Sequence, residues 1–181
     1  MEQPRRARFL PFLRDRRGAA AVEFAVILPV MLLFYLGTFE ASQAIITKRK
    51  VTNAAETVGG IVARSSEMDA TRMRNVLLIS DAIIGSVDGD PPEITVTTVR
   101  TDAKGVATVD WSRRGTAEAA AKGTPYRLPD ELAGLADAYF VLATVRYAYT
   151  PAFDFVGIFG TMEFERRFTF RPRKGTEIAW K

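Results

Sequence analysis

A chain of 181 residues, 48% of them apolar, has room for one ordinary domain and an added anchor. The formal charge of +4 sits wholly in residues 1–18, where Arg5, Arg6, Arg8, Arg14, Arg16 and Arg17 face Glu2 and Asp15. Residues 19–181 therefore sum to zero, which argues against a basic nucleic-acid-binding domain. With no Cys and no His, the chain lacks disulfides, the usual zinc sites and the Ser-His-Asp and Cys-His nucleophile systems.

The basic leader, residues 1–18, runs straight into residues 19–39, AAAVEFAVILPVMLLFYLGTF, where Glu23 is the single charge. As a helix this stretch would span roughly 32 Å, about the thickness of a bilayer core. In lipid the backbone must satisfy its own hydrogen bonds, so a helix is expected. Arg beside a span stays on the cytoplasmic side, which predicts an inside N-terminus and an outside C-terminus. A cleaved secretory signal shares the basic start, but its apolar region is typically about 7–15 residues long. The nearest small-x-small candidate here is at Ala41-Ser42. Pro29 lacks an N–H donor, which marks a helix bend. Gly37 offers close helix contact but has no GxxxG partner.

Glu23 is the anomaly of the span, because a carboxylate in lipid is costly unless it is compensated. It is the fifth residue after Gly18, in the string Arg-Arg-Gly-Ala-Ala-Ala-Val-Glu-Phe. This resembles the processing site of Flp-type prepilins and TadE-like pseudopilins, a Gly followed by four residues and then Glu-Phe or Glu-Tyr. Phe24-Ala25, Leu28-Pro29, the Leu-rich stretch, Gly37 and Glu40 extend the similarity to the TadE-like segment of tight-adherence (Flp/Tad) pilus systems, over about residues 14–64. The resemblance implies that a membrane aspartyl prepilin peptidase cuts between Gly18 and Ala19. Glu23 and Phe24 complete the motif, and Glu23 would then neutralise the new Ala19 ammonium of a neighbouring subunit.

Beyond the span, Ala41, Ala44, Ile45, Val51, Ala54, Ala55, Val58, Ile61 and Val62 recur at helical spacing. Residues 40–64 are thus expected to be an amphipathic extension of the same helix, loosened at Gly59-Gly60. Lys48, Arg49 and Lys50 read as a solvated or headgroup-facing cluster. Ser66 is the expected cap of a second helix, with Met68, Val76, Leu77, Ile79, Ile83 and Ile84 inward and Gly85 at its end. Residues 88–92, DGDPP, read as a turn and not as a calcium loop. Residues 93–100 and 106–112 suit a hairpin. Residues 113–128 suit a loop with a short helical portion, and 129–136 a short helix. Residues 139–149, YFVLATVRYAY, are the clearest core strand, and 162–171 a last strand made basic by Arg166, Arg167, Arg171, Arg173 and Lys174. Phe153, Phe155 and Phe159 in the loop before it read as core packing.

The expected fold is α+β: a long N-terminal transmembrane helix extending into a stalk, then a periplasmic domain (65–181) with an antiparallel sheet of about four strands. The expected function is that of a minor pseudopilin in assembly of a Flp/Tad-type pilus or related secretion apparatus, anchored in a bacterial inner membrane. Its expected partners are a prepilin peptidase, other pilins or pseudopilins and the assembly platform, with no nucleic acid and no small-molecule substrate. No convergent carboxylate pair, Walker A motif or dinucleotide loop is present, so no catalytic residue, cofactor or metal is expected. The alternative is a periplasmic binding or sensing module on a permanent, uncleaved anchor.

Overall fold

The structure, a computed structural model, describes residues 17–85, 91–153 and 160–181. Its longest element is α1, Arg17–Arg64, which continues without a break through Pro29 and through Gly59 and Gly60. The chain divides into two compact units, one ending at Ser42 and one running from Gln43 to Lys181.

In the first unit, α1 is the described element. Its apolar side chains from Val22 to Phe34 stand exposed, and its most apolar 18-residue stretch is entirely unburied. The helix is long and apolar enough to cross a membrane, as a single-pass anchor must be.

In the second unit the continuation of α1 turns apolar on one face only. Val51, Ala54, Ala55, Val58 and Val62 are fully buried. The glycine pair does not loosen the helix as expected, because close packing there requires the absence of a side chain. A Cβ added at Gly59 would lie 2.2 and 2.5 Å from ring carbons of Phe170 and 3.1 Å from the Ala143 methyl.

A two-residue strand, β1 (Glu67–Met68), follows α1, and α2 (Ala70–Ile84) comes next. The cap of α2 is Asp69, whose carboxylate accepts the Arg72 N–H at 2.8 Å, and not Ser66. Residues 67 and 68 are withdrawn from the helix by pairing with β7 (Ala179–Trp180), a contact from the far end of the chain. Gly85 closes α2 in the left-handed region that glycine favours, and Lys50 Nζ donates to the Ile84 carbonyl at 3.1 Å. Met73, Val76, Ser80 and Ile84 form the buried face of α2, with Leu77 and Ile83 half-buried. Ile79 is exposed, against expectation, because it lies off the stripe that Met73, Val76 and Ser80 define.

Five antiparallel strands make the main sheet: β2 (Glu93–Thr101), β3 (Ala107–Arg114), β4 (Ala117–Ala120), β5 (Tyr139–Tyr149) and β6 (Met162–Phe170), in the order β4-β3-β2-β5-β6. The strand β4 stands where a loop was expected. Its sequence AEAA has no strand propensity, and it is extended because it pairs with β3 across a bulge at Ser112/Arg113. The short helix expected at 129–136 shrinks to a 3₁₀ turn, Asp130–Leu132.

Both faces of the sheet are covered. Ile94, Val96, Trp111, Tyr139, Val141, Ala143 and Val145 join the buried residues of α1 and α2 in one core. Val99, Phe140 and Leu142 meet Ala107 and Leu128 in a smaller core, with Tyr126 and Leu132 packed against it. This explains the unbroken apolar start of β5, which alternation alone would not produce. A ladder of alternating charges crosses the sheet: Arg114, Glu93, Arg146 and Glu165 pair in turn at 3.2, 3.3 and 2.8 Å.

Candidate functional site

The residues singled out by the motif lie at the N-terminal end of α1. Residues 1–16, the bulk of the basic leader, lie outside the described residues. Gly18 is already helical, and the Gly18–Ala19 peptide bond falls in the first turn of α1. An added Cβ at Gly18 would meet nothing within 4 Å, and its backbone is not in the left-handed region. A helical Gly is disfavoured by about 1 kcal/mol relative to Ala. Among the described residues, packing therefore gives no reason for glycine at this position.

Glu23 is exposed, as are Val22, Phe24 and Val26 around it. Ala19 lies four residues before it, on the same helical face. Glu40, the other acid between Gly18 and Ser42, is buried at 1% exposure. Pro29 lies mid-helix and withholds one N–H from the carbonyl of Ala25. Farther along, Val30, Leu33, Phe34, Gly37, Thr38 and Ala41 line a shallow groove on the helix surface.

Residues 18–59 match the family model described as TadE-like protein. The resemblance carried by the Gly18–Glu23 spacing and the apolar run is thus borne out over this segment. The TadE-like segment takes in the whole apolar stretch and continues to Gly59. Comparison with curated proteins and with solved structures gives no match.

Outside the TadE-like segment, the other candidates disperse. The turn at 88–92 begins in residues 86–90, outside the described residues, as do Phe155 and Phe159. Phe153 is exposed. The basic residues of the last strand do not form one cationic face. Arg167 approaches Glu165 at 3.6 Å and donates to Thr144 Oγ1 at 3.2 Å, whereas Arg171 lies 5.5 Å above the Phe140 ring. Among the described residues, no three acids converge as metal ligands would.

A cleft of about 410 Å³ in the second unit went unforeseen. It lies between β3, β4 and the returning C-terminal strand. Asp110 beside it is nearly buried. Burial alone would raise its pKa, but the hydrogen bonds from Lys122 at 2.7 Å and from Tyr139 at 2.9 Å outweigh this and hold it below the usual carboxylate value. The Tyr139 hydroxyl is pushed up, first by burial and then by the Asp110 charge. The one sequence signal for this cleft was the pair of tryptophans, Trp111 and Trp180, placed 69 positions apart and brought to 5.2 Å between ring centres.

Proposed function

We propose that the chain is a minor pseudopilin, processed between Gly18 and Ala19 by a prepilin peptidase and then assembled through its apolar helix. One observation carries the reading. Gly18 stands in a helix where no packing among the described residues calls for glycine. A residue that the fold does not require, followed five positions later by a carboxylate that the lipid disfavours, suits recognition by another protein. A peptidase needs extended backbone, and Gly18, which has no side chain, lets the backbone extend there.

After the cut, Ala19 carries an ammonium close to the depth of Glu23, and Glu23 of a neighbouring subunit neutralises it within the membrane. The N-terminus lies on the cytoplasmic side and residues 65–181 on the periplasmic side, as the leader's arginines direct. The chain acts as a structural subunit and catalyses nothing.

The test is expression of the full chain with and without a prepilin peptidase, followed by N-terminal determination. Mature protein beginning at Ala19 only when the peptidase is present is the expected result. An intact Met1 in both cases overturns the processing and leaves a permanent anchor. Glu23→Val should still insert and be cut, yet enter assemblies at a small fraction of the wild-type level. Normal incorporation of that variant would remove the pairing from the scheme.

A further inference from the structure

Arg113 is poorly satisfied for so enclosed a cation. Its side chain is 20% exposed and its Nε is buried without a partner. Its nearest carboxylate, Glu118, stays 4.0 Å away and is itself 60% exposed. The guanidinium is held instead by the Trp180 ring, 4.4 Å from its centre. The other cations of the same cleft are committed: Arg100 to Glu177, and Lys122 to Asp110 at 2.7 Å. Among the described residues the terminal nitrogens of Arg113 thus have no close carboxylate, and a guanidinium stacked on an indole has already lost the freedom that binding would otherwise remove.

We propose that this cleft is a receptor for a single carboxylate borne on an apolar body. Arg113 grips the carboxylate through its terminal nitrogens, displacing the loose Glu118, and Trp111 and Trp180 hold the body. The planar fork of a guanidinium matches two carboxylate oxygens. Asp110, Glu118 and Glu177 line the same cleft and repel a dianion. The carboxylate comes from a polypeptide terminus or from a free organic acid. The site lies wholly in the second unit and stands independently of cleavage at Gly18.

The chain has two tryptophans and both line the cleft, so emission excited selectively from tryptophan reads this site. The full-length chain in detergent micelles is titrated with 3-phenylpropionate, with 3-phenylpropanamide, with phenyl phosphate, and with an acetylated Gly-Ser-Leu-Phe peptide ending in a free or an amidated carboxyl group. The expected result is a saturable emission change with the acid and the free-ended peptide, and none with the two amides. Tighter binding of the peptide than of phenylpropionate assigns the source to a polypeptide terminus, and equal binding assigns it to free acids. Arg113→Lys, with its fold checked by near-ultraviolet dichroism, should bind about tenfold more weakly, since it loses the two-pronged contact. Glu118→Gln, an exposed change that does not touch the core, should bind more tightly because it removes the competing acceptor. Any one of three results overturns the proposal: amides that bind as well as acids, phenyl phosphate that binds more tightly than phenylpropionate, or no saturable change with either acid or peptide. Unchanged affinity in both variants would do the same.

Discussion

Alanine at Gly59 would place a methyl group 2.2 Å from Phe170 Cε2, with the Ala143 methyl closing the other side at 3.1 Å. The Phe170 ring would have to turn aside, so Gly59→Ala should destabilise the domain by about 1–3 kcal/mol, the usual cost of overpacking. A denaturant midpoint shift at unchanged slope would show it. Ser80 presents the opposite case. Its hydroxyl is fully buried on α2 without a partner. Ser80→Ala relieves that group and should leave stability between unchanged and about 1 kcal/mol higher. Asp110 adds a pH dependence. Its pKa is lowered in the folded state, so it stabilises the fold above the unfolded carboxylate value of about 3.9 and ceases to do so as the pH falls through the lower folded value. The stability difference between wild type and Asp110→Asn should therefore be largest near neutrality and shrink in acid. A difference that stays constant from pH 7 to about pH 2 would contradict this assignment.

At the level of single elements, α2 is held at both ends by side chains. Asp69 caps its first turn and Lys50 reaches the Ile84 carbonyl at its end from α1. Asp69→Ala should cost about 1 kcal/mol, the ordinary value of an N-cap, and amide exchange should quicken first in residues 70–73. The same segment shows where sequence reading reaches its limit. The stripe of α2, its glycine stop and β5 from Tyr139 to Tyr149 were legible, because each follows from local spacing. The cap was misplaced because β1 takes residues 67 and 68 into a pairing with residues 179 and 180. The strand β4 was illegible for the same reason, since AEAA becomes extended only through its partner β3. Of the functional features, the Gly18–Glu23 spacing was readable because it lies within a few residues. The cleft was not, because Arg113, Trp180 and Asp110 converge only after the C-terminal segment returns to the sheet.

For the molecule as a whole, α1 belongs to two settings that change along a single helix. From Val22 to Phe34 its apolar side chains are exposed, and from Val51 they form part of the domain's core. The domain therefore cannot be cut at the end of the helix. Val51, Val58 and Val62 are all fully buried, and each contributes roughly 1.5–3 kcal/mol by leaving water. Together they rival the total stability of an ordinary domain, about 5–15 kcal/mol, before Ala54, Ala55 and Ala63 are counted. The C-terminal segment also rests on this helix, since the Arg173 N–H donates to the Ala63 carbonyl at 2.7 Å. A fragment of residues 43–181 should accordingly fold without the anchor and melt in one cooperative transition. A fragment of residues 65–181 keeps every strand yet should lack a cooperative melt and bind hydrophobic dyes. Thermal dichroism of the two fragments decides the matter: a cooperative transition in residues 65–181 would mean that the sheet sustains its own core and that α1 merely rests upon it.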